Sequence, residues 1–204
     1  RDPLWSRGLG DVYKRQEDDG KQWTLSIRQG VKFHDGSDLT AAVAAHALEA
    51  ARKKPGMLRD APITAISASG NDVVIALSKP FKPLAALLAH SSANILASAA
   101  YDADDNVKQI IATGPYRLTL LEPPQRLAAE RFEGYWGTKP SIEKATYLGA
   151  GRGETRSLMA ESGGAELVFQ LDPPSIARLQ RNPCLLYTSP GPRDQRGYRM
   201  PSSA

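Results

Sequence analysis

The two ends of the chain carry one DNA text read in opposite directions, and this limits how much of the sequence has a fold to specify. Residues 11–16 can be encoded by GAT GTG TAT AAG AGA CAG; the reverse complement of that string, shifted by one base, encodes residues 184–189. No packing or propensity rule produces such a relation. It extends outward, because codons for residues 6–10 invert to a string one base change from residues 189–193, and residues 3–5 invert to residues 195–197. Both tails resemble a transposase-type sequencing adaptor translated at the two ends of a short read. Residues 1–16 and 184–204 are therefore expected to be adaptor-derived and disordered, leaving residues 17–183 as the foldable part.

Setting the tails aside changes the charge argument. The chain has 26 basic and 22 acidic residues, a formal net charge of +4, but the tails hold seven of the basic and three of the acidic ones, which leaves 19 of each sign. The surplus that would point to nucleic acid or an anionic membrane lies outside the foldable part, and no nucleic-acid partner is expected. The single cysteine, Cys184, lies in the tail, so a disulfide framework and a thiolate metal site are both excluded. No apolar run approaches the roughly 18 residues needed to span a bilayer.

Trp23-Thr24-Leu25-Ser26-Ile27 alternates apolar and polar residues, and Val31-Lys32-Phe33 repeats the pattern, which predicts a hairpin. Thr40 is placed to cap a helix over residues 41–54, which Pro55-Gly56 ends. Residues 63–67 and 73–77 predict a second hairpin across Gly70-Asn71-Asp72, and a short apolar helix is expected over 84–89. The charged, aperiodic stretch 101–108 reads as an internal boundary. Strands are then expected at 116–121, 125–131 and 144–148, followed by helix 154–161, strand 166–169 and helix 175–180.

Little in this pattern points to catalysis. Gly149-Ala150-Gly151-Arg152-Gly153-Glu154 lies between a strand and a helix, where a dinucleotide-binding turn belongs, but Glu154 stands where the third glycine of that motif falls. A carboxylate there would repel a pyrophosphate, so a plain connector is the favoured reading. His34, His46 and His90 are not spaced as a zinc pair; His46 suits a helix face and His34 its turn. His90 is followed directly by Ser91-Ser92, which makes no nucleophile–base pair, and no G-x-S-x-G elbow exists. Catalytic residues, metal ligands and cofactors are all expected to be none. Tyr116, Phe132, Tyr135 and Trp136 could wall a cleft, but near turns such rings are more often packing wedges.

Taken in order, Trp23-Thr24-Leu25-Ser26-Ile27-Arg28-Gln29-Gly30-Val31-Lys32-Phe33-His34-Asp35-Gly36 resembles the signature of the family 5 extracellular solute-binding proteins. Leu39-Thr40-Ala41, Ser78-Lys79-Pro80-Phe81, Thr113-Gly114-Pro115-Tyr116 and Tyr135-Trp136-Gly137-Thr138-Lys139-Pro140 keep the family's order, and the last two are most similar to its nickel-receptor branch. The resemblance implies a mixed α/β (α+β) fold, a type II-like periplasmic-binding-protein lobe whose ligand lies between two lobes that close by hinge motion. The lobe would be incomplete, with residues 17–105 as an auxiliary α+β subdomain, residues 106–183 as part of the core lobe, and the second lobe beyond Pro183.

The same resemblance implies a monomeric periplasmic receptor, not an enzyme, that delivers a small solute such as a peptide or nickel chelate to an ABC transporter permease. The family's acidic pair after Thr40-Ala41 is replaced by Ala42 and Val43. Asn94 falls where the nickel receptor places a cleft arginine, and Met57 where it places a cleft tryptophan, so these two are the candidate ligand-binding residues. Asn94 can orient a ligand by hydrogen bonds but cannot neutralise a carboxylate-rich chelator. The alternative is a small nucleotide-binding α/β enzyme using the Gly149 to Glu154 turn.

Overall fold

The structure, a computed structural model, describes residues 13–17 and 20–182. Among them the chain separates into two compact units: one runs to Glu122 and takes in Arg126–Tyr147, and the other joins Pro123–Gln125 to the residues from Leu148 onward.

The first unit is built on a four-stranded antiparallel sheet in the order β1 (Tyr13–Glu17), β2 (Gln22–Ser26), β4 (Asp72–Leu77), β3 (Ile63–Ser69). Alternation decides which face is buried. Trp23, Leu25 and Ile27 lie inward with Val73, Ile75 and Leu77, and the register sets Trp23 opposite Ile75 and Leu25 opposite Val73. Helix α1 (Ala41–Lys53) covers this face with Ala41, Ala44, Ala45 and Leu48; its alanines let backbone and sheet approach closely. As the sequence predicts, Thr40 caps the helix, its side chain accepting from the Val43 amide at 3.3 Å, and Pro55 follows the end. Helix α2 (Leu84–Leu88) adds Leu84 and Leu88 to the same core.

Three expectations are corrected. The first hairpin does not form, because β2 is paired on both sides, by β1 and β4. Gly30, at φ +73°, turns the chain away, and residues 31–33 pair instead with residues 37–39: the Phe33 amide donates to Ser37 O at 2.8 Å and the Leu39 amide to Val31 O at 2.9 Å. Second, residues 13–16, expected outside the fold, belong to β1 and pair with residues 23–26. Strand addition uses backbone groups that every residue carries, so an edge accepts an extended segment with little regard to its origin. Third, residues 166–169 form no strand; no strand flanks them among the described residues, and Leu167 and Phe169 are 70% and 66% exposed.

Residues 101–108 are an anchored loop. Tyr101 bridges Val107, the Asp102 amide donates to Asn106 O at 2.9 Å, and Asp105 at φ +59° reaches α1, pairing with His46 at 3.0 Å and Lys53 at 3.2 Å. A second sheet follows in the order β5 (Tyr116–Glu122), β6 (Arg126–Arg131), β7 (Lys144–Leu148). The second unit carries α3 (Gly153–Glu161) and α4 (Pro173–Leu179), the latter capped by Asp172 with proline in its first turn.

Candidate functional site

Met57 and Asn94 are 37 positions apart in the chain, yet both sit on loops fastened to one core. The loop after α1 is pinned by Leu58, 1% exposed, which leaves Met57 48% exposed. Asn94 ends a short 3-10 turn, Ser91–Ala93, whose Ala93 is buried in the same cluster. The two loops touch: a side chain built on Gly56 would stand 3.7 Å from Ser92 Cβ. His90 opens the turn as its cap, with Nδ1 accepting from the Ser92 amide at 3.2 Å and lying 3.0 Å from Ser92 Oγ. His90, Ser91, Ser92 and Asn94 are all exposed, so one anchored turn offers an imidazole, two hydroxyls and a carboxamide beside a thioether. The sequence reading singled out Met57 and Asn94; the capping pair at residues 90 and 92 was visible only as a histidine beside serines.

The aromatic group is used for packing. Phe132 meets His34 edge-on at 5.0 Å, and His34 Nε2 donates to Gly114 O at 3.0 Å, tying the His34-Asp35-Gly36 turn to the segment entering β5. Trp136 lies under the Arg28 guanidinium at 4.7 Å and beside Tyr135 at 5.2 Å. The Tyr116 hydroxyl donates to Ile142 O at 2.9 Å. Arg131 closes the loop that carries these rings, donating to Glu133 at 2.8 Å, to Pro140 O at 3.2 Å and to Glu143 at 3.4 Å. Its hydrogen bond with Glu133 raises the guanidinium above its ordinary value and lowers the Glu133 carboxyl. A charged groove of about 380 Å³ opens beside it, lined by Arg117, Glu130, Arg131, Glu133, Glu143 and Lys144. Most of its charges are already paired, as in Arg117 with Glu130 at 2.5 Å.

The glycine-rich turn is occupied by the protein itself. Gly149 packs so tightly that an added Cβ would stand 1.9 Å from Pro124 O, and its amide donates to Gln125 O at 2.8 Å. Arg156 donates to Ala150 O and Gln170 O, and a Cβ on Gly153 would meet Asp172 Oδ1 at 2.5 Å. A phosphate cradle needs free inward-facing amides and no nearby anion, and here the Gly149 amide is already bonded to Gln125 O while Asp172 sets a carboxylate against Gly153. Of the other histidines, His46 bonds Asp105 from the face of α1. Among the described residues, no group of three or more histidine, cysteine, aspartate or glutamate side chains is placed to hold a metal ion.

The mixed α/β fold matches that of solved type II periplasmic binding proteins over 82–84% of the chain. The solved structure of MoaA from A. tumefaciens R10 in complex with mannopinic acid shares it with a TM-score of 0.75 and 27% identity, over 84% of this chain and 36% of that one. NikA from Staphylococcus aureus in complex with Ni(L-His)2 shares it with a TM-score of 0.75 and 23% identity, over 84% and 36%. The model of the bacterial extracellular solute-binding proteins, family 5 Middle, matches residues 10–200, and the chain belongs to that family. Among curated relatives, the glutathione-binding protein GsiB of Escherichia coli O1:K1 / APEC is 29% identical over 177 residues, covering 81% of this chain and 34% of the relative. The chain thus spans about a third of the length of the curated relatives it matches.

Proposed function

We propose that this chain is part of a periplasmic receptor that captures a small solute, a peptide or a metal chelate, and hands it to an ABC transporter permease. The observation that carries the reading is the family match across residues 10–200. In this reading residues 17–105 serve as an auxiliary subdomain and 106–183 as part of the core lobe, the receptor is monomeric, and Met57 and Asn94 contact the solute. A peptide-like solute is favoured within the class. The likeness to a glutathione-binding protein supports it, and so does a turn with hydrogen-bonding groups but no cation at residue 94 to meet a carboxylate-rich chelator. Selectivity would come from lobe closure around a desolvated ligand, with few polar anchors.

The test is a thermal-shift scan with millimolar glutathione, short peptides, nickel–histidine and NAD. Stabilisation by a peptide or chelate, with affinity weaker than micromolar because most of the clamp is contributed by other residues, is the expected result. Stabilisation by NAD alone would replace this reading with the nucleotide enzyme; micromolar solute binding would show that the described lobe needs no partner.

A further inference from the structure

We infer that His90 is a hydrogen-bond donor to the solute, fixed in one tautomer by its own capping bond, and that it selects oxygen acceptors over bare metal ions. The inference rests on the solute-capture reading and names the recognition chemistry at the same turn. A backbone amide can only donate, so the bond from Ser92 N at 3.2 Å requires an unprotonated Nδ1. Ser92 Oγ lies 3.0 Å from the same nitrogen and, with its hydroxyl rotated toward the ring, donates to it in that tautomer. In the neutral ring the proton must then sit on Nε2, on a residue exposed to solvent at the head of the turn that ends in Asn94.

Two consequences follow from that assignment. Nε2 has no lone pair to give a metal, and freeing one by moving the proton to Nδ1 would set that N–H against the Ser92 amide and break the cap, leaving only the rotatable Ser92 hydroxyl to accept it. An N–H at one end of the turn and a carboxamide at the other, about one short turn apart, suit a carboxylate or peptide carbonyl. Met57, on the adjoining loop, adds a polarizable apolar contact for the solute's carbon skeleton.

The test keeps capping and donation apart. Asparagine is a strong N-cap whose side-chain oxygen can replace Nδ1 while offering nothing at Nε2. In the full chain at pH 8, long-range proton–nitrogen spectra of the three histidines, assigned with His90→Asn, are expected to show a bare Nδ1 and a protonated Nε2 for His90. One equivalent of NiCl2 should leave its ring signals sharp, and millimolar glutathione or trialanine should shift them. His90→Asn should keep the wild-type Tm and weaken that binding about fivefold, the worth of one neutral hydrogen bond. The opposite tautomer, selective broadening by NiCl2, or equal solute affinity in His90→Asn would each overturn the inference while leaving the solute-capture reading standing. No shift in the wild-type chain with any solute would overturn both together.

Discussion

Gly149 and Gly151 look alike in the sequence and do different things. A methyl group at Gly149 would collide with the Pro124 carbonyl oxygen at 1.9 Å, backbone against backbone, whereas nothing lies within 4 Å of the same atom at Gly151. Gly149→Ala is therefore expected to destabilise the chain by about 2 kcal/mol in urea titration, since the strand end must shift to admit it. Gly151→Ala should lie within about 0.5 kcal/mol of the wild type; equal losses in the two variants would show that the contact is not what demands glycine. A phosphate and a neighbouring strand both require a residue without a side chain, so spacing alone left both uses open, and the identity of the neighbour, Pro124, lies 25 positions away. The candidate site was legible to the same degree. Met57 and Asn94 came from a family resemblance, while the Ser92 amide that orients His90 is a backbone group that no side-chain pattern reports.

Helix α4 depends on a titrating cap. Asp172 accepts from the Ser175 amide at 3.2 Å and from its hydroxyl at 2.7 Å, and the hydroxyl bond is the leading reason its carboxyl lies below the ordinary 3.8. A folded value below the unfolded one means the contribution is complete above 3.8 and is lost as the pH falls through 3.8 and below. Amides of α4 should thus lose hydrogen-exchange protection between about pH 5 and pH 2, and Asp172→Asn, which caps without ionising, should flatten that dependence. An unchanged profile in the variant would assign the acid response elsewhere. Elements fixed by their own residues were legible in the sequence: α1 between Thr40 and Pro55, and the β3–β4 hairpin around Gly70, at φ +58°. Those fixed by a distant partner were not. Residues 23–26 pair with β4 some fifty positions on, in preference to the nearby 31–33, and residues 166–169 carry a short apolar run, Leu167-Val168-Phe169, but no flanking strand among the described residues. Strand pairing is a choice among partners, and local periodicity records only readiness to pair.

At the scale of the whole molecule, burial is divided unevenly between the two units. The first holds a continuous cluster from Trp23 to Ala93 with Phe33, Leu48 and Ile75 almost fully enclosed. From Leu148 onward the only buried apolar residues described are Ala160 and Leu179. That unit relies on polar contacts instead: Arg178 donates to Ser157 Oγ at 2.6 Å and pairs with Glu161 at 2.8 Å, and Arg156 holds two carbonyls. Exposed or half-exposed ion pairs contribute little each, and Leu158, Leu167 and Phe169 gain only part of what full burial would give while half or more of their surface faces water. The second unit should therefore open in sub-global steps that leave the first intact. In native-state hydrogen exchange with urea added below the main transition, amides of α3 and α4 should exchange at least about tenfold faster than those of α1, β2 and β4, a difference of roughly 1.4 kcal/mol in opening free energy. Peptides covering both units that exchange together would mean one cooperative fold, with the polar contacts around Arg156 and Arg178 coupling as strongly as the apolar cluster does.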